Sequence, residues 1–83
     1  MVKKSTRYQV LIHNSDELDF AYVIESLQVV LGYELTQATN CAYLIDNKGS
    51  YIVKTFGDKE HADATVEALL EYEFDAEVID SFA

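Results

Sequence analysis

Residues 8–27 carry two hydrophobic periods in succession, joined by a polar hinge. Val10, Leu11 and Ile12 are consecutive apolar residues. Successive strand side chains point to opposite faces, so a strand over Tyr8–His13 is apolar on both sides near its end, as an interior strand is. Phe20, Val23, Ile24, Leu27 and Leu31 then recur at spacings of three and four, the signature of one helix face. Between the runs stand Asn14, Ser15 and Asp16, short polar residues suited to a turn or a helix cap. Polar groups at a strand-to-helix junction can also grip a ligand, and the apolar helix face beside them can take a side chain.

The rest of the chain repeats this alternation. The first helix is expected from about Asp16 or Leu18 to Leu31, capped by Asp16 and stopped by Gly32 in a left-handed conformation. Thr36 is expected to cap a second helix from Gln37 to about Asp46. Its inner face would carry Ala38, Ala42 and Ile45, with Leu35 just before it. Asn47-Lys48-Gly49 reads as a turn. Ser50–Phe56, with Tyr51, Ile52, Val53 and Thr55, reads as a strand. Gly57-Asp58 opens a third helix ending near Tyr72, with Ala62, Val66, Leu69 and Leu70 inward. Ala76–Ile79 closes as a short strand. The order β-α-α-β-α-β predicts an α+β, two-layer domain: a three-stranded antiparallel sheet with three helices on one face. Residues 1–7 are expected to form a flexible tail ahead of one domain over 8–83.

Charge narrows the partners. Six Lys and Arg face 15 Asp and Glu, a formal net charge of -9. This argues against a nucleic-acid backbone or an anionic membrane as the partner. No apolar stretch approaches the roughly 20 residues that span a bilayer. Cys41 is the single cysteine, so no internal disulfide forms, and a reducing, cytoplasmic setting is expected. His13 and His61 lie far apart, and with one cysteine there is no metal-ligand spacing. Neither a paired nucleophile and base nor a glycine-rich phosphate loop is present, so no enzyme and no cofactor is expected.

The run from Tyr8 to Leu31, with Gly32-Tyr33 and Ala38-Thr39 after it, resembles the ClpS-type adaptors of the ATP-dependent Clp protease. That family's pattern is a strand, an Asn-Asp-Asp signature and a Thr-Pro-Met start to a long helix. A second helix then leads to a Val-His pair, a Gly turn and a strand ending in an aromatic. Here Asn14-Ser15-Asp16 stands on the signature, Ile45-Asp46 on the Val-His pair, Gly49 on the turn and Phe56 on the strand's end. Leu18-Asp19-Phe20 replaces Thr-Pro-Met.

The resemblance implies a binding module that holds the exposed N-terminal residue of a protein destined for degradation and delivers it to a Clp unfoldase N-domain. Residue by residue, it implies that Asn14, Ser15, Asp16 and Asp46 bind the α-amino group. Phe20, Val23, Ala42 and Ile45 would line a hydrophobic pocket. Ser15 replaces an acid and Asp46 a rim His, while Phe20 and Ala42 each replace a Met. Charge and volume are thus expected to have moved across the pocket rather than to have vanished. The segment before Tyr8 is shorter than the family's usual extension, and Ala64 stands where a Lys of the third helix is typical, which bears on docking to the unfoldase. The alternatives are an acidic interaction module with this fold and a degenerate pocket, and a ligand-sensing α+β domain that dimerises through its sheet.

Overall fold

The computed structural model describes residues 6–82. Its elements are β1 (Thr6–His13), α1 (Phe20–Leu31), α2 (Leu35–Lys48), β2 (Ser50–Phe56), α3 (Lys59–Glu71) and β3 (Asp75–Phe82). The sheet order is β2-β1-β3, with β1 antiparallel to both neighbours. The fold is the expected α+β arrangement. β1, which carries the three-residue apolar run, is the central strand and is hydrogen-bonded along both edges.

The tail expectation over 1–7 divides at Thr6. Residues 1–5 lie outside the described residues, whereas Thr6 and Arg7 extend β1 and pair with Phe82 and Ser81 of β3. β3 is correspondingly longer than Ala76–Ile79.

The core forms where Val10 and Ile12 of β1 meet the helices. Both are fully buried, together with Leu27 of α1, Ala38 of α2, and Ala62 and Leu69 of α3. A bulge in β2 sets its edge. Val10 pairs with Lys54 and Leu11 with Ile52, so Val53 is the extra residue. The shift explains how Val53 is buried while Phe56, three residues on, still packs against the core.

Three boundaries and two burial expectations are corrected. α1 starts at Phe20 with Asp19 as its N-cap, not at Asp16 or Leu18, because residues 15–18 close a turn instead. α2 starts at Leu35 after Glu34 rather than being capped by Thr36, and it runs to Lys48. Only Gly49 remains of the expected three-residue turn. It sits at φ 85, a positive value that glycine adopts most readily, and its N–H closes the helix on the Ile45 carbonyl. Leu35 and Leu70 face solvent at 62% and 51% exposure, not the core. Leu69 takes the inward position of that pair.

Candidate functional site: a cavity at the end of the central strand

Topology brings the two walls of the site together. His13, the last residue of β1, pairs with Ser50, the first residue of β2. Ser50 directly follows the Gly49 that ends α2, so the C-terminal end of α2 lies beside the exit of β1. A backbone hydrogen bond fixes that neighbourhood: the Asn14 N–H donates to the Gly49 carbonyl at 2.8 Å. From Asn14 the chain turns. The Leu18 N–H donates to the Ser15 carbonyl at 3.3 Å, and the Glu17 N–H to Ser15 Oγ at the same distance. Of the polar run, Ser15 is the residue whose side chain takes part in these bonds before α1 begins.

Between these walls opens a cavity of about 170 Å³, lined by Asn14, Ser15, Asp16, Leu18, Phe20, Val23, Ala42, Ile45 and Asp46. All eight residues singled out from the sequence stand around this one space. Asn14 and Asp16 are exposed on the strand-exit side, and Ser15 is half-buried between them. Asp46 is exposed on α2, across the opening. Ala42 and Ile45 form a buried floor at 2% and 4% exposure, Val23 is half-buried, and the Phe20 ring is 44% exposed at the rim.

Leu18 is the residue the sequence reading missed. It falls inside the turn, one position after two acids and outside any apolar period, so periodicity gave no reason to choose it. It is half-buried, packs against the core, and also borders a second, broader cavity of about 510 Å³ with Glu17, Asp19, Tyr22 and Glu73.

The electrostatics divide the cavity in two. Its most buried lining residues, Ala42 and Ile45, are apolar. Its rim offers the side-chain oxygens of Asn14 and Ser15 and the carboxylates of Asp16 and Asp46. Asp46 lies near the C-terminal end of α2, where the helix carbonyls add negative potential of their own. Ser15 Oγ, although it accepts from Glu17, keeps a second lone pair and its own O–H. The arrangement suits a ligand that is cationic at one end and apolar at the other.

Among the described residues, no three His, Cys, Asp or Glu side chains come together as a metal site. Cys41 is buried outside this cavity, and burial pushes its thiol above the ordinary value, which keeps it protonated and poorly nucleophilic.

Comparison with known proteins decides the family. The model of the ATP-dependent Clp protease adaptor protein ClpS matches residues 3–77. The chain belongs to the ClpS family. The family is one of Clp protease adaptors. Among solved structures, Agrobacterium tumefaciens ClpS2 bound to L-phenylalaninamide is similar to this ClpS-family chain with a TM-score of 0.76, at 18% sequence identity. The match covers 95% of this chain and 99% of that one, and at this identity it establishes the shared fold. No curated protein matches the sequence.

Proposed function

We propose that the cavity receives the N-terminal residue of a substrate protein, and that this ClpS-family adaptor delivers the bound protein to the N-domain of a Clp unfoldase. The observation that carries the reading is the two-part cavity: an apolar floor under an opening ringed by Asn14, Ser15, Asp16 and Asp46. A free chain terminus has the matching shape, an α-ammonium beside its first side chain. Its ammonium brings three donors to a rim of acceptors, and charge-assisted hydrogen bonds are stronger than neutral ones. Burial of a large apolar first side chain contributes about 1.5–3 kcal/mol more. The similar ClpS2 was solved with L-phenylalaninamide, a compound with the same pairing of amino group and apolar side chain. A cytoplasmic location accords with this role and with the single cysteine.

Isothermal titration with a peptide beginning in Phe or Leu, run beside its N-acetylated twin, tests the reading. Acetylation removes the charge while leaving the side chain in place. The free-amine peptide is expected to bind at least tenfold more tightly. Equal affinities, or no binding by either, refute N-terminal capture. Pulldown of the free protein with an unfoldase N-domain tests delivery separately.

A further inference from the structure

We propose that Leu18 is the partition that keeps this pocket selective for apolar first residues, by separating it from an acidic groove directly behind. The inference deepens the N-terminal-capture reading and rests on it. Leu18 borders both spaces: the 170 Å³ cavity on one side, and on the other the 510 Å³ groove whose other lining residues are Glu17, Asp19, Tyr22 and Glu73. Leu18 is the one residue common to the two linings, and on that ground the partition is assigned to it. Leu18 is held by its own backbone bond and by packing, and the turn that carries it by a further bond at Glu17. The Leu18 N–H is bonded to the Ser15 carbonyl, the Glu17 N–H to Ser15 Oγ, and the Leu18 side chain is packed against the core. The groove behind it is held too, since Tyr22 Oη donates to the Tyr72 carbonyl at 3.0 Å.

The chemistry on the two sides differs sharply. The acceptors of the cavity, Asn14, Ser15, Asp16 and Asp46, are the groups that would hold the α-ammonium, and its other lining residues, Leu18, Phe20, Val23, Ala42 and Ile45, have side chains that cannot accept a hydrogen bond from a cation. A guanidinium or ammonium pushed against those walls loses its hydration without replacement, which is strongly unfavourable. Past Leu18 the same group would meet three carboxylates. With the wall in place, a chain beginning in Phe is accepted and one beginning in Arg is refused. With the wall shortened, the two spaces join, and a long cationic side chain gains charge-assisted partners at its tip.

The test compares peptides beginning in Phe and in Arg, otherwise identical, titrated against the unaltered protein, Leu18→Ala and Leu18→Met. Thermal melting accompanies each variant. The unaltered protein is expected to prefer the Phe peptide. Leu18→Ala should bind the Phe peptide more weakly and the Arg peptide roughly tenfold more tightly than the unaltered protein does, a shift of the size that small changes in an apolar pocket produce. Leu18→Met, which keeps the wall, should retain the original preference. A purely structural role for Leu18 would weaken both peptides together, so loss of affinity for both overturns the partition. An unchanged preference in Leu18→Ala overturns it as well, while leaving N-terminal capture standing. If the unaltered protein binds neither peptide, the capture reading itself fails and the partition with it.

Discussion

Ala42 is where the volume of the pocket and the packing of the core meet, so replacing it tests whether the cavity is the binding space. Its methyl group is 2% exposed and part of the cavity floor, on a helix whose neighbouring Ala38, Cys41 and Ile45 are all buried. Ala42→Met adds a methylene, a sulfur and a terminal methyl on a flexible stem that fills irregular gaps. At about 0.8 kcal/mol per buried methylene-sized group, the protein's own side chain takes over roughly 2 kcal/mol of burial that a ligand would otherwise gain. Since 1.4 kcal/mol is a factor of ten, a peptide beginning in Phe should bind roughly 10–100-fold more weakly. Overpacking a filled core costs about 1–3 kcal/mol, but this position adjoins about 170 Å³ of free space, so the melting midpoint should not fall.

Phe20 supplies the second half of the experiment. Its ring borders the same cavity as Ala42, so the two positions should be coupled rather than additive, by about 0.5–3 kcal/mol. Phe20→Met removes bulk at the rim, and the double variant Phe20→Met/Ala42→Met should recover part of the affinity that Ala42→Met loses. Titration calorimetry on the four proteins of the cycle, with melting curves alongside, gives the coupling directly. Unchanged affinity in Ala42→Met would show that ligands bind elsewhere. Strict additivity in the double variant would refute the idea that bulk at position 20 compensates for its absence at 42.

Three other outcomes are expected. Asp46→Asn should weaken the free-amine peptide roughly tenfold and leave its acetylated twin unchanged, and Ser15→Asp should strengthen the free-amine peptide; calorimetry checks both. Tyr33→Phe removes the bond that Tyr33 Oη donates to the Val53 carbonyl at the β2 bulge, where burial first, then Cys41 and Tyr51, hold the phenol above its ordinary value and protonated. The loss should cost about 1 kcal/mol, lowering the melting midpoint by about 4–8 °C with peptide affinity intact. Asp58 caps α3 by accepting from the Glu60 N–H at 2.8 Å. Slight burial acts to raise its pKa but is outweighed by hydrogen bonds from the His61 ring and the Glu60 and His61 backbone, so the net value lies below the ordinary carboxylate range. A folded-state value below the unfolded one means that this stability is fully present above the unfolded pKa. It is lost as pH falls through the folded pKa. Melting midpoints measured across that acidic window should therefore fall less steeply with pH in Asp58→Asn, which keeps a capping oxygen without the titration.

Element type and order were legible because each segment carries one dominant period: the three-residue apolar run for β1, the three-and-four spacing for α1, the β-branched and aromatic run for β2. Boundaries were less legible, and at particular residues. Asp16 and Thr36 have good capping side chains, but Asp19 and Glu34 hold the cap positions, neither with a side-chain cap bond. Local preference at 16 lost to the turn closed between Ser15 and Leu18. The β2 bulge leaves no local trace, because its cause is pairing with β1, more than 40 residues away. The Tyr33–Val53 bond is hidden for the same reason. Around the cavity, the family resemblance supplied the pairing of Asn14 with Asp46. Periodicity alone could not, since a helix face lining a cavity and one filling a core have the same spacing.

That ambiguity has a physical consequence for how the site can vary. The floor residues Ala42 and Ile45 are core residues that also line the cavity, so a substitution that removes volume there alters binding and folding together, whereas added volume can pass into the cavity. The rim residues Asn14, Asp16 and Asp46 are exposed side chains, positioned by backbone bonds they do not themselves make: Asn14 through its N–H to Gly49, and Asp46 through the helix that Gly49 terminates. Their side chains can change without disturbing the frame that aims them. A charge can therefore leave position 15 and appear at position 46, across the same opening, while the strand exit and the end of α2 stay joined. The Asn14–Gly49 bond holds the two walls at a fixed separation, and the side chains set on them decide what the opening will accept.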